Sequence, residues 1–224
     1  MGKIKVKKQN TFIDMTAMSD VTVLLLTFFM MTSTFLAKEP IQVTTPSSVS
    51  EFTIPETNKL TMLVDPSGKI FMTIDNQRNM GETLKRVGQD YGISFTDIEV
   101  DKFKQLAAFG VPIADMKAFL ALSMEEQDKY LKENMGTDRA GIPTKGKEIL
   151  NETTGETTVD NEFKHWIRHA AAVNEELNLG DLLLAIKADQ TTPYPVIQTV
   201  LDNLRELRKN RYLLITSLKT ASNQ

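Results

Sequence analysis

Residues 15–37 read MTAMSDVTVLLLTFFMMTSTFLA, and the only ionisable side chain among them is Asp20. From Val21 to Ala37 nothing carries a charge, while Asp14 stands just before the stretch and Lys38-Glu39 just after it. At ~1.5 Å per residue a helix over this stretch reaches about 34 Å, enough to cross a ~30 Å hydrocarbon core. The stretch is therefore read as a transmembrane helix. A carboxylate inside such a span is costly and faces protein or water rather than lipid. Thr16, Asp20, Thr27 and Thr34 follow one another at intervals of four, seven and seven. At about 100° per residue they fall within about 40° of each other, so hydroxyls continue the carboxylate's side of the helix. Each hydroxyl has a plain alternative, a bond to a carbonyl of its own helix. The carboxylate has no comparable alternative.

Upstream, Lys3, Lys5, Lys7 and Lys8 precede the span, and only Lys38 follows it closely. The positive-inside rule keeps a basic tail at 1–14 in the cytoplasm and exports the remainder. A cleaved signal peptide is the rival reading. The apolar run is longer than a signal peptide's hydrophobic region, contains Asp20, and is followed by Lys38-Glu39-Pro40 rather than a small-x-small site, so an uncleaved anchor is expected.

The chain of 224 residues is 41% hydrophobic, which leaves room after the span for one domain of ordinary size carrying an insertion. Its net charge of −3 implies no nucleic-acid partner. With no cysteine, disulfides and thiolate metal sites are excluded.

Downstream, residues 38–59 carry Pro40, Pro46 and Pro55 among many Ser and Thr. That composition cannot bury enough apolar surface to fold alone and reads as an extended linker, a tether or plain spacer in which Val49, Phe52 and Ile54 could add a strand to a sheet edge. Residues 60–64 and 69–74 flank Asp65-Pro66-Ser67-Gly68, whose residue types fit a type I turn and predict a β-hairpin. Near the far end, 181–187 (DLLLAIK) reads as a buried strand. Thr192 as cap and Pro193 as first residue open a helix with Ile197, Val200, Leu201, Leu204 and Leu207 at helical spacing, and 211–218 closes as a strand. Strand, helix, strand implies a right-handed βαβ unit, and with the hairpin it makes a small two-layer α/β domain over 60–224, its helices on one sheet face. Between lies an all-helical insertion at about 80–175, with helices expected at 82–91, 99–109, 113–122, 124–133 and 161–178 and a loop at 145–159.

Glu162, His165 and His169 share a helix face at spacings that suit a metal, but Phe163, Trp166 and Ile167 beside them suit a packed helix, and no metal is expected. The methionines of the span read as packing. There is no phosphate-binding Gly loop, no nucleophile elbow and no convincing carboxylate pair for hydrolysis, so the exported portion reads as an interaction module rather than an enzyme.

Phe12-Ile13-Asp14-Met15-Thr16-Ala17-Met18-Ser19-Asp20-Val21 followed by LLLTFFMM resembles the opening of the ExbD/TolR biopolymer-transport family. In that family an Ile-Asn/Asp-x-Thr-Pro-x-x-Asp-Val pattern begins the single span and its Asp carries protons. The match lands on Asp20, with Ala17 where the family usually has Pro. Residues 185–204, AIKADQTTPYPVIQTVLDNL, resemble the family's strand, Ala-Asp, Tyr and amphipathic-helix segment. The resemblance covers 10–75 and 181–218, is closer to ExbD than to TolR, and leaves the insertion outside it. It implies an inner-membrane, single-pass energiser subunit with its C-terminal domain in the periplasm. Its spans would pair with those of a second copy inside a ring of ExbB-like polytopic subunits, driving a TonB-like protein with protons as coupling ion and no cofactor. Asp20 would be the proton carrier, with Thr16, Thr27 and Thr34 serving the proton path or helix packing. The alternatives are a TolR-like envelope-integrity subunit, a motility stator, and a membrane-anchored binding or structural protein.

Overall fold

The computed structural model describes residues 15–33, 47–48, 58–150, 157–215 and 217–218. The chain divides into two compact units, residues 1–37 and 38–224. The first holds helix α1, Met15–Thr32, whose 18 residues are all exposed. At ~1.5 Å per residue it measures about 27 Å. By length and composition it is a helix able to cross a membrane. Residues 34–37 of the expected span lie outside the described residues.

The second unit opens with β1 (Ser47–Ser48), then β2 (Lys59–Val64) and β3 (Ile70–Ile74). β2 and β3 form the expected hairpin, with Leu60 opposite Ile74 and Val64 opposite Ile70. Its turn closes through Gly68 N–H to Asp65 O at 3.0 Å, and the Asp65 carboxylate takes the Lys69 N–H at 2.9 Å and the Ser67 hydroxyl at 2.7 Å. Gly68 has φ +80°, a conformation that favours a residue without Cβ.

Helices α2 (Gln77–Asp90), α3 (Asp97–Lys104), α4 (Ile113–Ala121) and α5 (Met124–Asn134) follow. Polar residues start three of them. Asn76 caps α2, and Thr96 with Glu99 and Ser123 with Glu126 make capping boxes for α3 and α5. α3 ends five residues earlier than the expected 109. Past it the backbone lies along β3 instead. Met72 and Phe109 exchange N–H···O bonds of 2.7 and 2.9 Å, and the Thr73 hydroxyl donates to Ala107 O at 3.0 Å. Gly110 and Pro112 suit this extended course better than a helix.

The expected loop at 145–159 is another departure. It contains strands β4 (Lys147–Leu150) and β5 (Thr157–Asp160), paired antiparallel, so the insertion is not purely helical. α6 (Glu162–Glu176) then leads to β6 (Leu183–Ala188), α7 (Tyr194–Glu206), β7 (Tyr212–Leu214) and β8 (Ser217–Leu218). The single strand expected over 211–218 is thus two short ones with different partners. β7 joins the main sheet, while β8 pairs in parallel with β1. A segment of the expected linker therefore does find a strand partner, at Ser47–Ser48. Val49, Phe52 and Ile54, the positions expected to do so, lie outside the described residues.

The main sheet has the order β3-β2-β6-β7, with β2, β6 and β7 mutually parallel. Thr192 does not cap α7. Pro193 holds that position, and the Thr192 hydroxyl donates to Asp65 O at 3.1 Å, fastening the start of α7 to the hairpin turn. Leu60 to Val64 are buried without a break, so both faces of β2 are covered, beyond the single helical layer expected. The insertion shares this core. The rings of Phe109 and Trp166 lie 4.7 Å apart and those of Phe103 and Phe109 4.8 Å apart, in one buried cluster with Leu60, Met62 and Leu84. The result is a mixed α/β domain after one apolar helix.

Candidate functional site

α1 has few helix breakers and a run of Leu, Phe, Met and Val, and hydrocarbon leaves its backbone no partner but itself. Its hydroxyls follow the same rule. Ser19 donates to Met15 O at 2.9 Å, Thr22 to Ser19 O at 2.8 Å, Thr27 to Leu24 O at 2.9 Å and Thr32 to Phe28 O at 2.8 Å. Each hydroxyl oxygen keeps acceptor capacity outward. Asp20 is different. It lies in the exposed first half of α1, and among the described residues it has no hydrogen-bond or ion-pair partner. Thr16 and Thr27 lie on the same side of the helix by its 100° rotation. Thr34 falls outside the described residues. The arrangement is one acid on an apolar rod on which Ser19, Thr22, Thr27 and Thr32 bond their own helix carbonyls. Inside hydrocarbon such an acid faces other protein or water rather than lipid.

The helix face of Glu162, His165 and His169 is split by the structure. Glu162 turns into the core, where its Oε1 accepts from Trp166 Nε1 and from Ile113 N, each at 3.0 Å. Burial pushes its carboxyl above the usual carboxylate range, against the pull of those two hydrogen bonds. His165 and His169 meet Asp90 instead, the last residue of α2. Asp90 Oδ2 lies 2.5 Å from His165 Nδ1 and 2.6 Å from His169 Nε2. The other ring nitrogen of His165 is 3.1 Å from Asp160 Oδ2, at the end of β5. Burial pushes the Asp90 carboxyl up, but the bonds from His169 and His165 outweigh it and hold the group below its ordinary value. Tyr91 sets an edge against the His165 ring at 5.5 Å, and burial, with the charges of Glu162, Asp160 and Asp90, pushes its phenol up to about 12. Neither Asp90 nor Asp160 was visible as part of this cluster in the sequence. Asp90 ends a helix far away in the chain, and Asp160 precedes the helix that carries the histidines.

One apolar helix bearing one acid among the described residues, followed by a mixed α/β domain, is consistent with a single-pass membrane anchor carrying a candidate intramembrane carboxylate. The family model for Biopolymer transport protein ExbD/TolR matches residues 6–219, and the chain belongs to that family. No curated protein and no solved structure matches it. As a member it is an energiser subunit of biopolymer transport, of a family anchored in the inner membrane that works with other membrane proteins.

Proposed function

We propose that this chain is the ExbD-type subunit of a proton-driven energiser, with Asp20 as proton carrier. The observation that carries the reading is Asp20 itself, the one acid on a helix whose neighbouring hydroxyls bond their own backbone. A lone helix offers no proton path, so the second wall comes from an ExbB-like polytopic ring and from the span of a second copy. Desolvation favours the neutral form of a carboxylate and an aqueous or cationic wall favours the charged one. Alternation between two such surroundings loads and releases a proton. One charge moved through ~100 mV releases about 2.3 kcal/mol, so useful work takes many cycles. Thr16, Thr27 and Thr34 line the same side and serve the polar path or the packing of the paired spans.

In this reading residues 1–14 stay in the cytoplasm, 38–59 form the periplasmic tether, and 60–224 are the periplasmic domain that acts on a TonB-like protein at the outer membrane. Proton coupling itself calls on no cofactor, and protons are the coupling ion. The test is TonB-dependent uptake with Asp20→Asn at matched membrane levels, with co-purification of the polytopic partner. The expected result is loss of uptake with the complex intact. Unchanged uptake overturns the role of Asp20 and leaves an anchored binding protein. Normal uptake in a null strain whose outer membrane leaks instead assigns the chain to the TolR branch.

A further inference from the structure

Two imidazole nitrogens converge on one carboxylate oxygen at the junction of α2, α6 and β5. His165 Nδ1 and His169 Nε2 are 2.5 and 2.6 Å from Asp90 Oδ2, and all three atoms lie within 4.8 Å of one another. One N–H from each neutral imidazole could satisfy Asp90, but His165 faces a carboxylate from both ring nitrogens, Asp90 on one side and Asp160 on the other, so that ring calls for a second proton or a metal ion. We propose that Asp90, His165 and His169 form a divalent transition-metal site of the Zn2+ class.

The arrangement around His165 supports a metal rather than a second proton on that ring. Its Nε2 faces Asp160 Oδ2 at 3.1 Å. A neutral imidazole that donates Nε2–H to Asp160 presents the Nδ1 lone pair to Asp90, the carboxylate–histidine arrangement that orients metal-bound histidines. His165 and His169 stand four residues apart on α6, one turn above the other on a single face. The donor set, two imidazoles and one carboxylate with no cysteine in the chain, suits Zn2+ and its neighbours rather than Ca2+ or Mg2+. His165 and His169 side chains are 15% and 20% exposed and Asp90 is 33% exposed, which leaves a solvent side for ion entry and for a water as fourth ligand. At ~2.0–2.2 Å from each donor the ion separates them by roughly 0.8 Å more than the present contacts. Binding therefore requires the donors to part by that amount, and Asp90, the most exposed of the three, is the one that would move.

The ion would clip the C-terminal end of α2 to α6 and, through Asp160, brace β5. This role is independent of proton coupling at Asp20.

The test uses the full chain in detergent, stripped with a chelator and titrated with Zn2+ alone against a chromogenic competitor. Trp166, the chain's only tryptophan, reports that each variant is folded. We expect one Zn2+ per chain, binding weakened at least about 100-fold by His169→Ala and by Asp90→Asn, and weakened about 10- to 100-fold by Asp160→Asn, which leaves all three ligands in place. Co2+ should give ligand-field absorption bands that His169→Ala abolishes. Absence of uptake by the unmodified chain at about 0.1 mM Zn2+ overturns the site and leaves a hydrogen-bonded cluster of Asp90 with the two histidines. Full affinity in both His169→Ala and Asp90→Asn overturns it equally, and so does full affinity in a folded Asp160→Asn if the ligand variants do not fold.

Discussion

The indole N–H of Trp166 donates to Glu162 Oε1 at 3.0 Å, one helical turn away and inside the core. The same oxygen takes the Ile113 N–H, so one buried carboxylate joins α6 to the start of α4. Glu162→Gln keeps an acceptor at that point, whereas Glu162→Leu strands two buried donors. The leucine variant should lose about 2–4 kcal/mol of stability and the glutamine variant far less. The pH dependence separates them further from the parent. Burial holds the folded carboxyl above the ordinary glutamate value of 4.5. Between 4.5 and that raised value the folded chain holds a proton the unfolded chain has released, so stability falls as pH rises through this window. Glu162→Gln should flatten that slope. Chemical denaturation followed by Trp166 fluorescence across the window measures it, and equal slopes would sink the assignment.

A Cβ built on Gly110 would lie 2.0 Å from Cδ1 of the buried Phe71 ring. Gly110→Ala should therefore cost about 1–3 kcal/mol by forcing the β3 core apart. Adding Phe71→Leu should recover part of the loss, because the smaller side chain gives the new methyl room. The denaturation midpoint of the double variant against each single one decides, and simple additivity would mean that the clash is not the cause.

Thr192 is 9% exposed and its hydroxyl donates to Asp65 O at 3.1 Å, joining the β6–α7 connection to the hairpin turn. Thr192→Val keeps the volume and removes the donor. A loss of about 1 kcal/mol is expected, and Thr192→Ser should keep most of that bond. A serine variant no better than valine would show that the methyl, not the hydroxyl, matters here.

Lys164 is buried, with its ammonium donating to Val159 O and paired with Glu206 of α7. Glu206→Ala leaves that ammonium without its counter-charge and should cost about 3 kcal/mol. Lys164→Met removes the charge and fills the space, leaving Glu206 access to water, and should cost less. The reverse order in thermal unfolding would show that Glu206 contributes little to holding Lys164.

The hairpin was legible because Asp65-Pro66-Ser67-Gly68 encodes its turn locally, and α7 because Val200 and Leu204 recur on one face. α1 was legible from the absence of charge after Asp20. What stayed hidden depends on partners distant in the chain. Residues 105–111 are apolar enough for a helix, and only the open edge at Met72 pulls Phe109 into an extended course. The β4–β5 pair lacks strict alternation, so its Lys, Glu and Thr read as loop. Glu162 shared a face with His165 in the helical projection, yet Trp166 and Ile113 draw it inward while Asp90 arrives from another helix. A projection of one helix shows its own residues and not its neighbours.

The parallel pairing of Leu60 with Leu184 also sets an order of events for a chain synthesised from its N-terminus. The hairpin emerges early, with one edge of its central strand bare, and waits through the whole insertion for β6 to arrive. Pairings so far apart in sequence form slowly. During that interval the exposed strand edge is a template for other chains. Yield should therefore be more sensitive to the loss of holding chaperones than that of a domain built from neighbouring hairpins.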